Sequence, residues 1–162
     1  PDKESEYKAS VDDKGNVILK KKSKIKSGKK SKASGGQFEL RVRKDLENKG
    51  WIVDKWANNL DLDTSKVHPA KRKFNPFSKV MTIGTGFPDF IAFQLLEKGR
   101  YKIIGVEVKV NGNLSLEEKK KCKVYLDKKI FSEILIAKKK KEKNRVFVEY
   151  IEFDKIFKGM RR

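Results

Sequence analysis

Gly86-Phe87-Pro88-Asp89-Phe90-Ile91-Ala92-Phe93, followed by Ile103-Ile104-Gly105-Val106-Glu107-Val108-Lys109-Val110, is the stretch whose reading decides the fold. Both runs are apolar and of strand length. Leu95-Leu96-Glu97-Lys98-Gly99-Arg100 between them suits a hairpin connection with glycine in the turn. Strand side chains alternate faces, so Glu107 and Lys109 point one way while Val106, Val108 and Val110 point the other. Antiparallel pairing then sets Asp89 beside Glu107. Two carboxylates on an otherwise apolar sheet repel each other and lose hydration; they are tolerated if they share a cation or give up charge. A strand-end aspartate and an alternating surface pair would explain either run alone. The two runs together, in this order, point to a site.

The chain has 162 residues, enough for one domain with a core plus an appendage. Charged residues make up 39% and the net charge is +19, which favours an anionic polymer or surface as partner. No apolar stretch approaches the roughly 20 residues needed to span a bilayer, and no secretory h-region is present. The basic runs lack the apolar helix face that membrane binding needs, so nucleic acid is the expected partner and no membrane is. The one cysteine, Cys122, excludes a disulfide framework and a thiolate zinc cluster; among Glu117, Glu118 and the lysines it reads as a reactive thiol or, more simply, as a buried small residue. The one histidine, His68, argues against Ser-His-Asp or Cys-His catalysis. Any catalysis runs on carboxylates, lysine and a hard cation. Low cysteine with abundant Lys and Glu suits a cytoplasmic setting. Pro1 in place of an initiator methionine suits a processed chain or a piece of a longer one.

Residues 1–33 are expected to form a basic, largely flexible N-terminal arm, with a small hairpin over 11–19 turning at Lys14-Gly15. Its lysines Lys20, Lys21, Lys22, Lys24, Lys26, Lys29, Lys30 and Lys32 are candidate phosphate contacts. The run from 20 to 32 has a single isoleucine and little to bury against its ordering entropy. Residues 34–162 form the folded domain. Ser34-Gly35-Gly36-Gln37 has capping-box spacing and predicts a helix from there to Lys49, with Gly50 just past its end. Phe38, Val42 and Leu46 make its buried stripe, and Glu39 falls at the stripe's margin, able to reach past the helix edge toward a sheet. A strand over 51–56 follows, then a long connection over 57–82 containing Lys71, Arg72 and Lys73. Those cations interleave with Phe74 and Phe77, which suits phosphate contact and base stacking, or packing of the two rings under the loop. Asp61-Leu62-Asp63 lacks the glycine and glutamate of a calcium loop, and Gly84-Thr85-Gly86 lacks the GK[ST] of a phosphate loop. After Lys109, Asn111-Gly112-Asn113 turns and Ser115 caps a helix whose first turn holds Glu117 and Glu118. Residues 133–137 read as a buried strand, 138–144 as a lysine-rich hairpin loop, and 145–153 as an alternating strand. The order helix, three strands, helix, two strands gives an α/β domain with a mixed sheet.

That order and those residues resemble the PD-(D/E)xK nuclease superfamily over roughly residues 35–152, on Pro88-Asp89 and Glu107-Val108-Lys109. The chain is similar to archaeal Holliday-junction resolvase-like nucleases, which carry an early helix glutamate, matched by Glu39, before their GFPD and EVK strands. It also looks like VRR-NUC domains at Leu114-Ser115-Leu116-Glu117-Glu118, although Glu118 stands where those have glutamine. Lys121 and Tyr125 keep the spacing of a RecB-type QxxxY motif without its glutamine. The resemblance implies a restriction-endonuclease-like core, a central mixed sheet flanked by helices. It implies Mg²⁺ or Mn²⁺ held by Asp89, Glu107 and Glu39 with the Val108 carbonyl, and Lys109 orienting or deprotonating the attacking water. The expected activity is metal-dependent hydrolysis of DNA phosphodiesters, duplex or branched, by an endonuclease, with structure-specific cleavage of resolvase type left open as one form of it. Alternatives are an exonuclease or RNA-directed nuclease on the same scaffold, or a catalytically silent nucleic-acid-binding module. A resolvase works as a two-fold dimer, and the charge of +19 makes DNA-promoted dimerisation the expectation.

Overall fold

A computed structural model describes residues 6–12, 16–75, 80–83 and 86–157. Its elements in chain order are β1 (Tyr7–Val11), β2 (Val17–Lys21), α1 (Lys22–Asn48), β3 (Ile52–Lys55), β4 (Asn58–Asp61), β5 (Lys66–Pro69), β6 (Arg72–Asn75), β7 (Val80–Ile83), β8 (Phe90–Glu97), β9 (Arg100–Val108), α2 (Leu116–Asp127), β10 (Glu133–Glu142), β11 (Arg145–Glu152) and α3 (Phe153–Phe157). The chain divides into two units, residues 1–37 and 38–162.

In the second unit five strands form one mixed sheet in the order β11-β10-β9-β8-β3. β8 pairs antiparallel with β9 and with β3, β10 runs parallel to β9 through the α2 crossover, and β11 returns antiparallel to β10. One face is closed by Phe38, Val42 and Leu46 of α1, packed with Val53, Phe90, Ala92, Ile104, Val106 and Ala137. The other face is closed by Cys122 and Tyr125 of α2, packed with Phe87, Phe131, Ile134 and Ile136. Both faces of β9 are therefore covered, which explains why its sequence is nearly continuous in apolar residues. Glu107, 4% exposed, is the exception on the α2 face. Two glycines fit these strands to their neighbours. A Cβ at Gly86 would fall 1.8 Å from the Trp56 carbonyl oxygen, and one at Gly105 would fall 2.8 Å from the Pro88 ring.

Several expectations change. Helix α1 starts at Lys22, so residues 22–32 are helical rather than a flexible arm, and Ser34 and Gln37 lie inside the helix instead of capping it. Scarce apolar residues leave this stretch with little to pack, but lysine and alanine are good helix formers whatever they pack on. Gly28, Gly35 and Gly36 have no atom within 4 Å of a would-be Cβ, so they weaken this helix without distorting it. The connection over 57–82 is two ladders, β4–β5 and β6–β7. Asp61 organises the first turn by accepting bonds from the Asp63 N–H at 3.0 Å and the Thr64 hydroxyl at 2.7 Å. Residues 138–142 are strand, not loop, and the turn is only Lys143-Asn144, both at positive φ. Lys138 there pairs across the ladder with Glu149 at 2.9 Å, and Lys140 pairs along its own strand with Glu142 at 2.8 Å. The hairpin expected over 11–19 is present as β1–β2, while its turn at Lys14-Gly15 lies outside the described residues, as do Pro76, Phe77, Gly84 and Thr85. Among the described residues no helix is long and apolar enough to cross a membrane.

Candidate active site

The register of β8 on β9, with Phe90 opposite Val106, carries Asp89 to the edge of Glu107. The contact is reciprocal. The Asp89 N–H donates to Glu107 Oε2 at 3.1 Å, and the Val108 N–H donates to Asp89 Oδ2 at 2.8 Å. Asp89 is anchored from behind as well, because its carbonyl accepts the Trp56 N–H at 3.1 Å. The turn before it is held by Tyr125, whose hydroxyl donates to the Phe87 carbonyl at 2.8 Å and accepts from the Trp56 indole at 3.3 Å. Tyr125 from α2, Trp56 from the β3 end and the Gly86 turn therefore fix one aspartate.

Lys109 follows β9 on the same face as Glu107 and bridges two carboxylates. Its Nζ lies 3.0 Å from Glu107 Oε1 and 2.6 Å from Glu118 Oε1. Glu118 belongs to a capping box at the start of α2. Its backbone N–H donates to Ser115 Oγ at 3.2 Å, and its Oε2 accepts the Ser115 N–H at 2.7 Å.

Burial, then the charge of Asp89, pushes the Glu107 carboxyl up to about 8 despite the lysine beside it. Burial raises Asp89 too; the Val108 N–H opposes it and the charge of Glu39 adds to it, leaving the group above its ordinary value. Burial alone would lower Lys109, but the Glu118 and Glu107 carboxylates outweigh it and hold the ammonium well above the usual range. Glu118 is the converse: burial raises it, and Lys109 and the Ser115 N–H overcome that and lower it. The four groups thus carry one firm cation, one firm anion and two carboxyls biased toward protonation.

Glu39 stands at the edge of α1 as expected, close enough for its charge to act on Asp89, but its Oε2 is paired with Lys55 Nζ at 2.7 Å. Among the described residues no three His, Cys, Asp or Glu side chains converge as a metal cluster. The chemistry of Asp89 and Glu107 nonetheless fits a hard divalent cation, since both offer oxygen and burial holds both above their ordinary carboxyl values. Val108 contributes an N–H to Asp89 here. Lys71 and Arg72 are exposed at the start of β6, Lys73 lies in that strand, and the eight lysines from Lys20 to Lys32 are all exposed. Cys122 is buried on the α2 face, where burial and the nearby carboxylates push its thiol far up, so it is a packing residue. His68 rests with Nδ1 3.2 Å from its neighbour Pro69's carbonyl, away from these groups.

Sequence reasoning missed the link of Glu118 to Lys109 and the ion pair of Lys55 with Glu39. The first was signalled by Ser115-x-x-Glu118, whose capping geometry fixes where the glutamate points. The second had no signal beyond a lysine at a strand end. No family model, no curated protein and no solved structure matches this chain.

Proposed function

We propose that this protein is a metal-dependent nuclease that hydrolyses DNA phosphodiester bonds as an endonuclease, on a restriction-endonuclease-like core. The observation that carries the reading is the reciprocal pairing of Asp89 and Glu107 across β8 and β9, with Lys109 on the same carboxylate. Asp89 and Glu107 would hold Mg²⁺ or Mn²⁺, with Glu39 joining once it leaves Lys55. Bound there, such a cation supplies charge to a phosphoryl oxygen and acidifies a water. The chain's own groups do the rest. Glu107, freed of its proton, accepts from the Asp89 N–H and keeps the two carboxylates in register. Lys109 sets an ammonium beside them, placed to orient a water and to offset the charge that develops on phosphate. Glu118 keeps that ammonium from swinging away.

Cleavage of plasmid, linear duplex, single strands and four-way junctions, each with Mg²⁺, Mn²⁺ or EDTA, tests the proposal. Asp89→Asn and Glu107→Gln should abolish cleavage and leave binding intact or tighter, because neither replacement can ionise against the phosphate. Lys109→Ala should lower turnover by orders of magnitude with less effect on metal affinity. Variants that all cut like the parent would place the chemistry elsewhere. A second reading, a catalytically silent nucleic-acid-binding module, is favoured by the Glu39–Lys55 ion pair, which removes one carboxylate from the set. It predicts binding without cutting under either metal. Junction resolution predicts symmetric nicks and a dimer on the junction by light scattering, whereas trimming of free ends by a monomer marks the exonuclease.

A further inference from the structure

Among the described residues of the first unit, Lys8 and the eight lysines from Lys20 to Lys32 face only Glu6 and Asp12 as acids. A lysine run is ordinarily a solvated face and carries no site by itself. Here it borders something else. Between the β1–β2 ribbon and the first turns of α1 lies a groove of about 890 Å³. Tyr7, Leu19, Ile25 and Gly28 give it apolar walls, Lys24 and Lys29 flank it from the helix, and Lys21 shares the Tyr7–Leu19 face of the ribbon, while Lys8 and Lys20 pair on the ribbon's opposite face. Tyr7 is 42% exposed and Leu19 is 71% exposed, so the walls are open to solvent. Among the described residues neither Lys24 nor Lys29 forms an ion pair, whereas Lys21 pairs with Glu6 at 3.5 Å.

The combination selects the partner. A duplex offers phosphates but keeps its bases stacked, leaving the apolar walls with nothing to cover. A lipid surface asks for a continuous apolar helix face, and among residues 22–32 only Ile25 is apolar. A single strand offers phosphates and exposed base faces together. We propose that this groove holds a single-stranded nucleic-acid segment, with its phosphates on Lys24 and Lys29 and its bases against Tyr7 and Leu19. The assignment rests on the nucleic-acid reading above and extends it to residues outside the Asp89–Glu107 pair.

Gly28 provides the test. It lies inside a helix without positive φ, and a Cβ there meets nothing within 4 Å, so leucine is sterically allowed and favours the helix while taking up groove space. Fluorescence anisotropy of the full chain in EDTA separates binding from cutting, using labelled oligothymidylate, a labelled duplex of equal length and phosphatidylserine vesicles as competitor. Oligothymidylate should bind tighter than the duplex. Gly28→Leu should weaken it roughly tenfold, the scale of a single base stacked on an aromatic ring, with duplex binding unchanged and helical circular dichroism undiminished. Lys24→Glu with Lys29→Glu should reduce the salt slope for oligothymidylate by roughly 0.7 for each phosphate that is no longer neutralised. Equal or tighter duplex binding, parental affinity in Gly28→Leu, or displacement by vesicles overturns the proposal. Groove-dependent binding without cleavage in Mg²⁺ or Mn²⁺ would sink the nuclease reading and keep the groove. Cleavage with a Gly28→Leu variant that binds normally would do the reverse.

Discussion

Replacing Glu107 by glutamine should stabilise the protein in alkaline solution, although it removes a site residue. The folded carboxyl sits at about 8 against an ordinary value of 4.5, raised by burial and by Asp89. Below the unfolded value both states hold the proton and the group contributes nothing. Between the two values the unfolded chain has released its proton while the folded chain keeps it, so stability falls by about 1.4 kcal/mol per pH unit. Above the folded value both states are ionised and the cost stays constant. Between roughly pH 6 and pH 9 the loss accrues only up to the folded pKa, which amounts to about 3 kcal/mol. Glutamine does not titrate. Its oxygen keeps the Asp89 N–H, and its amide meets the Lys109 ammonium, an offset of about 1 kcal/mol that pH does not move. Urea unfolding of parent and variant in EDTA, near pH 6 and near pH 9, reads the difference directly. It should shift by about 3 kcal/mol toward the variant at the higher pH. Mg²⁺ at that pH should restore the parent and leave the variant where it was, because a cation that binds only the folded, ionised site stabilises by mass action. A parent–variant difference that ignores pH refutes the protonated Glu107.

Gly86→Ala should cost on the order of 3 kcal/mol or more, because its Cβ would fall 1.8 Å from a backbone oxygen that cannot turn aside; thermal unfolding measures it. Tyr125→Phe strands the buried Phe87 carbonyl and should lose about 1–3 kcal/mol, with cleavage falling further than stability predicts because the Asp89 turn loosens. Ser115→Ala removes the cap of α2 and should cost about 1 kcal/mol, while turnover falls and DNA affinity holds.

The β8–β9 pair and the buried stripe of α1 were legible because their signals are local and agree, whereas β4 to β7 were read as a connection. Phe38, Val42 and Leu46 at helical spacing found α1's buried stripe, and the apolar runs around Asp89 and Glu107 found β8 and β9 along with their pairing. The start of α1 was not legible, since Lys22 to Lys32 have helix propensity but no buried face to mark a period. Lys138 to Glu142 was lost in the same way: a strand end written in lysine looks like a loop until its pairing with Arg145 to Glu149 is known. For the candidate site, the meeting of Asp89 and Glu107 follows from strand parity. The engagement of Glu39 by Lys55 does not, because it depends on how a helix edge overhangs a strand end.

Glu118 divides its two oxygens between two tasks: Oε2 closes the first turn of α2 on Ser115, and Oε1 holds Lys109. An aspartate, shorter by one methylene, could keep either bond but would have to abandon the other. The resting place of the ammonium is therefore tied to a fraying equilibrium. Each time the first turn of α2 opens, the latch on Lys109 opens with it. The lysine's residence beside Glu107 thus becomes a thermodynamic property of a helix end, tunable from Ser115 without touching either strand.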